Sequence, residues 1–229
     1  MTATATFGDR LAESPVYKKF HDHPFFASVH TAELTKEQAA ILIEQWWHPL
    51  HYFPTFLARC VAVLPDIAAK SAIARILNQE AGGGDASMAH EVIYVDSMAK
   101  CGFAADRVTG ATPYPETEAL VEGYRNASET AEAALGFIFA TETTDLLMVS
   151  SIGKAIEQTT GVTDNQWVAI HIEQEPDHVE EANHALLADF TAEQEDAVIV
   201  AADEMWRLWM AFFDRLALET GVGATASAR

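Results

Sequence analysis

The stretch His171-Ile-Glu-Gln-Glu175-Pro-Asp-His178 sets two imidazoles and a carboxylate at i, i+4 and i+7. On a helix these three side chains fall within an arc of about 60°. Two neutral nitrogens and one anionic oxygen on one face suit a first-row transition metal, iron first, with manganese or zinc after it. The competing reading is a solvated acidic face, because Glu173, Asp177, Glu180 and Glu181 share the segment; Asp177 falls on the opposite side of the helix and reads as solvent-facing. Glu142 favours the metal. It lies in LGFIFATETTDLL, four residues from both Ile138 and Leu146, on an apolar stripe. A carboxylate there is costly to bury unless it is paired or metal-bound. The third piece is Glu80 and His90, flanking Gly82-Gly83-Gly84. In one unbroken helix they would be separated by ~15 Å of rise and roughly 80° of rotation, too far for one small site. Three glycines permit the break that would bring them together; the alternative is a plain interhelical loop.

The elements that must hold these residues read as helices. Thr35 is a plausible N-cap for a helix through LTKEQAAILIEQWWHPLHYFPTFLARCVAVL, which Pro49 and Pro54 should kink rather than end. Further helices are expected over residues 67–80, resuming after the glycines to about 100, then over 116–124, 129–159, 165–188 and 193–220. Residues Ala134, Phe137, Ile138, Leu146 and Val149 mark the core face of the longest. No strand-period alternation, internal repeat or linker is seen. The expected class is all-α, one compact bundle of seven or eight helices spanning residues 1–229, with disordered ends at about 1–6 and 221–229.

Composition bounds the function. The chain of 229 residues is 49% hydrophobic and 21% charged, which excludes a disordered protein. Its 14 Lys and Arg against 34 Asp and Glu give a net charge of −20. That opposes nucleic acid or an anionic membrane as a partner. No apolar run approaches the ~20 residues of a membrane helix, and in MTATATFGDR no basic segment is followed by an apolar stretch, so a secretory signal is not expected. Two cysteines, Cys60 and Cys101, make no disulfide framework and read as buried small hydrophobes. A cytoplasmic location is expected.

In this order, the Glu, the glycine-rich stretch with its His, the central-helix Glu and the His-x3-Glu-x2-His resemble the haem-oxygenase-like di-iron oxidase and oxygenase superfamily. ELTKEQ (33–38) and FPTFL (53–57) also resemble that family's second helix. The resemblance covers roughly residues 20–220. It implies a haem-oxygenase-like bundle with two Fe(II) ions, manganese being the alternative, held by Glu80, His90, Glu142, His171, Glu175 and His178, with dioxygen as co-substrate. Three carboxylates and three neutral imidazoles against two ferrous ions leave one net positive charge. In this reading Glu142 bridges the metals. One metal takes His171 with a carboxylate of the same helix face, and the other takes His178 or His90 with Glu80. Where the para-aminobenzoate-forming relatives carry a sacrificial Tyr and a Lys, this chain has Phe26 and Ile152, so self-sacrificing chemistry is disfavoured.

The implied activity is oxidation of a small organic acid, with an amino acid or its derivative favoured, by C–C cleavage, desaturation or N-oxygenation. Rivals are a fatty-acid oxidative decarboxylase, a metal-free thiamin-salvage or quinone-forming relative, and a non-catalytic small-molecule or metal-binding module. Trp47, His51, Phe53 and Phe137 are candidates for an apolar substrate wall. Lys154 and Arg207, rare cations inside apolar helices, are candidates to anchor a substrate carboxylate. An external electron donor and a second copy of the chain are the other candidate partners.

Overall fold

A computed structural model of the protein describes residues 7–186 and 190–223. The described residues are helical, with no strands. Seven helices have eleven or more residues: α4 (Lys36–Val63), α5 (Ile67–Glu80), α6 (His90–Lys100), α8 (Pro115–Ala127), α9 (Ala131–Thr160), α10 (Gln166–Ala185) and α11 (Ala192–Thr220). Four short ones complete the order: α1 (Phe7–Ala12), α2 (Pro15–His21), α3 (Pro24–Val29) and α7 (Ala105–Thr109). Residues 1–6 and 224–229, expected to be disordered, lie outside the described residues. Val222, counted with that tail from sequence, is 2% exposed.

Local chemistry fixes the boundaries. Thr35 caps α4 in a reciprocal capping box with Gln38, and Thr191 does the same for α11 with Gln194. Asp66 and Asn165 cap α5 and α10. Gly161 and Gly221, both left-handed, end α9 and α11. α4 runs through Pro49 and Pro54, and α10 through Pro176, without a break. Pro176 and Ile172, whose carbonyl loses its partner, both lie on the solvent side of α10.

The long helices pack around α9, which meets α4, α8, α10 and α11; α10 also packs on α5 and α6. Close approach of α9 and α11 depends on Gly136, where a Cβ would fall 2.5 Å from the Val198 carbonyl oxygen and 2.6 Å from the Ala201 methyl. α9 corrects one expectation from sequence. It contains an 18-residue stretch apolar enough to cross a membrane, yet 72% of that stretch is buried inside the bundle. The core face also differs in detail: Leu146, placed on it from sequence, is 40% exposed. The inward face of that turn carries Asp145 instead.

Candidate metal centre

α5, α6, α9 and α10 converge on one buried point. Glu80 is the last residue of α5 and His90 the first of α6. Between them the chain reverses through Gly82, Gly83 and Gly84, all at positive φ (87°, 63° and 99°). Gly82 is obligatory by contact as well, because a Cβ there would lie 2.2 Å from the Asp85 carbonyl oxygen. The turn sets His90 Nδ1 3.0 Å from Glu80 Oε1. α9 contributes Glu142, and one face of α10 contributes His171, Glu175 and His178. All six side chains are 5% exposed or less.

These residues form two groups, each with ligand atoms close enough to hold one metal ion: Glu80, His90 and His171, and Glu142, Glu175 and His178. The α10 motif is therefore divided between groups. His171 sits with Glu80 and His90, and Glu175 with Glu142 and His178. The groups adjoin at His178 Nδ1, which is 3.3 Å from Glu142 Oε2, 3.9 Å from Glu80 Oε1 and 4.0 Å from Glu175 Oε2. The imidazoles are oriented by outer partners. His171 Nδ1–H donates to the Trp167 carbonyl at 2.8 Å, leaving Nε2 free as a ligand. His90 Nε2–H donates to Gln174 Oε1 at 3.1 Å, leaving Nδ1 facing Glu80.

The electrostatics are those of opposed charges out of water. Burial alone would raise Glu80, but His90, then His178 and His171, hold it down at about 2. Burial lowers His178, yet Glu142 outweighs it and brings the imidazole up to about 9. His171, short of such a contact, is lowered by burial to about 4. Burial and the neighbouring Asp145 push the Glu175 carboxyl far above the carboxylate range. Asp145 itself is raised by burial and by Glu142 to about 7. Both carboxyls therefore lie above the ordinary carboxylate range, because burial and neighbouring carboxylates disfavour their charged forms.

The donor set fits a metal pair. Inaccessible to water and without hydrogen-bond partners are His90 Nδ1, Glu142 Oε1, Asp145 Oδ2, Glu175 Oε1 and His178 Nε2. So many unpaired polar atoms in one buried cluster are costly unless a cation satisfies them. The mixture of imidazole and carboxylate, without thiolate, suits iron or manganese.

Beside the two groups is a cavity of about 30 Å³, lined by Trp46, Pro49, Leu50, Phe53, Tyr124 and Trp209 opposite Glu142, Asp145 and His171. Of the side chains expected from sequence to meet a substrate, Phe53 alone lines it. Trp47 stacks on His51 with ring centroids 4.8 Å apart, and His51 is an exposed partner of Glu91 at 2.6 Å. Phe137 is buried edge-on to Tyr124 and lines a groove on the outer surface instead. Lys154 pairs with Glu157 at 3.0 Å, and the half-exposed Arg207 lies 3.6 Å from both Asp203 and Glu204. No Lys or Arg lines the cavity. Sequence reasoning missed Asp145, Tyr124 and Trp209. Asp145 had a legible signal, one helical turn beyond Glu142; Tyr124 and Trp209 come from two separate helices and had none.

The iron-containing redox enzyme family matches this sequence over residues 41–210, a span that holds all six grouped residues. The chain belongs to that family. Within known proteins it is similar to a 4-chloro-allylglycine synthase of Streptantibioticus cattleyicolor, 26% identical over 162 residues, covering 69% of this chain. The match spans 61% of that curated relative's length. Among solved structures, a CADD-like protein of unknown function from Nostoc punctiforme superposes with a TM-score of 0.77 at 16% identity, covering 93% of this chain and 95% of that one. A domain of unknown function with a haem-oxygenase-like fold from Shewanella denitrificans gives 0.74 at 22% identity, covering 93% and 90%. A TenA homologue from Pseudomonas syringae gives 0.72 at 13% identity, covering 95% of each chain. The fold is the haem-oxygenase-like bundle that the sequence implied.

Proposed function

We propose that this member of the family is a non-haem di-iron enzyme that uses dioxygen to oxidise a small amino acid or a close derivative. The observation that carries it is the pair of adjoining three-residue groups, buried and rich in unpartnered polar atoms, that open on a single aromatic-walled cavity. Glu80, His90 and His171 would hold one metal, and Glu142, Glu175 and His178 the other, with Glu142 and His178 at the junction. Bound iron would supply dioxygen activation.

The chain's own residues do the rest. Trp167 and Gln174 fix the faces that His171 and His90 present. Trp46, Phe53, Tyr124 and Trp209 exclude water and offer flat apolar surface to a substrate. Tyr124 OH lies 3.0 Å from Thr141 Oγ1, next in sequence to Glu142.

The similarity to a protein named for making an amino acid favours an amino-acid substrate over a long acyl chain. A thiaminase-like reading draws support from the TenA-type neighbours. It loses it where a nucleophilic cysteine is needed, since Cys60 and Cys101 are both buried away from the cavity and burial raises both thiols. The test is anaerobic loading with Fe(II), followed by oxygen-electrode measurements with panels of amino acids and fatty acids. Two equivalents of iron and amino-acid-stimulated oxygen uptake are expected. Failure of the folded chain to take up iron, or the same uptake after His171→Ala with His178→Ala, would refute the metal centre.

A further inference from the structure

Asp145 stands out among the buried titratable groups because no conventional partner accounts for it. It lies one helical turn beyond Glu142 on α9 and therefore shares its face. It lines the same cavity. Its Oδ2 is 4.0 Å from His171 Nε2, the nitrogen of that ring left free by the bond to Trp167, and it shares the cavity wall with Glu175 of the facing helix. Asp145 thus stands beside the His171 imidazole of one group and lines the cavity with Glu142 and Glu175 of the other. A structural aspartate at such a place would accept from hydroxyl or amide donors. Here the nearby hydroxyls are engaged elsewhere: Thr144 with the Ala140 carbonyl at 2.7 Å, and Tyr124 with Thr141. Asp145 Oδ2 has no hydrogen-bond partner although it is inaccessible to water.

Charge leads to the same place. Four carboxylates, Glu80, Glu142, Asp145 and Glu175, line the cavity and no Lys or Arg does, so the compensating positive charge must come from the imidazoles or from a bound cation. With Asp145 included, Glu80, Glu142, Asp145 and Glu175 supply four negative charges. Two divalent cations with neutral His90, His171 and His178 are then balanced, whereas three glutamates leave a net positive charge against an apolar wall. A neutral centre is the cheaper one to bury.

We propose that Asp145 is a seventh ligand of the metal centre, a carboxylate that links the His171 group to the Glu175 group. This rests on the metal-centre reading above.

The test compares wild type with Asp145→Ala, Asp145→Asn and Asp145→Glu by anaerobic Fe(II) equilibrium dialysis and Mössbauer spectroscopy, with thermal unfolding as the check on folding. A residue that merely supports a ligand costs about 10–100-fold in metal affinity. The expected result is a loss beyond ~100-fold for one of two equivalents in Asp145→Ala, a changed spectrum for that ion, and partial recovery in Asp145→Glu. Should the alanine variant fail to fold, Asp145→Asn, which keeps the shape and removes the charge, gives the same measurement. Two equivalents bound within ~100-fold of wild type by the folded variants, with unchanged spectra, would overturn the assignment of Asp145 and leave the metal centre standing. No uptake by wild type would overturn the centre itself.

Discussion

Gly82→Ala tests whether the glycine turn builds the first metal group. At φ +87° an L-residue costs about 1–2 kcal/mol. The new Cβ would also meet Asp85 O at 2.2 Å, Ala89 N at 2.7 Å and Met88 C at 2.8 Å. All three are backbone atoms, so relief requires the turn itself to move, and overpacking of this kind costs about 1–3 kcal/mol. The expected destabilisation is about 2–5 kcal/mol, or roughly 4–20 °C in Tm for a chain of this size. Gly83→Ala is the control: its φ is +63°, no atom lies within 4 Å of its Cβ, and only the conformational cost of about 1–2 kcal/mol applies. The two variants should also differ in metal binding. Ala89 directly precedes His90, so a shift that frees the Ala89 amide carries His90 Nδ1 away from Glu80 and weakens one Fe(II) equivalent. Differential scanning calorimetry and anaerobic Fe(II) titration read both effects. If Gly82→Ala melts within about 2 °C of Gly83→Ala and takes up iron like wild type, the turn does not set the Glu80–His90 geometry and the reasoning is wrong.

Glu142→Ala should leave the bundle folded, because it removes a buried carboxylate, yet abolish substrate-dependent oxygen uptake; full activity, or wholesale loss of helical circular dichroism, would contradict its place at the metal junction. Metal uptake should release protons at pH 7, since burial raises Glu175 above neutrality and Asp145 to about 7, and Glu142 brings His178 up to about 9 against its burial. Each must lose its proton to bind a cation, so Fe(II) affinity rises from pH 6 to pH 8; calorimetric heats that do not vary with buffer ionisation enthalpy would contradict this. Lys154→Ala and Arg207→Ala should each change kcat/KM by less than about twofold, since both side chains pair on the outside of the bundle; a KM increase of tenfold or more in either would place it at the substrate after all. Amide exchange over residues 79–97 should slow on Fe(II) loading, as the metal ties α5 to α6 across the glycine turn, and identical protection with and without iron would show that the turn needs no metal to hold it.

The all-α class, the course of α4 through two prolines and the break at Gly82–Gly84 were legible in the sequence, because each follows from local chemistry: caps, helical spacing, and a run of residues tolerant of positive φ. So was the cluster of Glu80, His90, Glu142, His171, Glu175 and His178, since ligand-type side chains at helical intervals inside apolar stretches have few cheap alternatives. The division of the α10 motif between two groups was not legible. Periodicity shows which residues share a face, but which neighbour each meets depends on how α10 lies across α5, α6 and α9. Leu146 and Asp145 differ by one position, and a 100° step decides which turns inward; the packing of α10 against α9 chose Asp145. Lys154 and Arg207 looked buried because their neighbours in sequence are apolar, yet long cationic side chains reach water from the edge of a helix, and theirs found carboxylates there. The aromatic wall of Trp46, Phe53, Tyr124 and Trp209 joins three helices distant in sequence, and no pattern along one helix could have announced it. Sequence thus determined which ligand-type residues lie on inward helix faces; the crossing of the helices decided how they are grouped and what faces them.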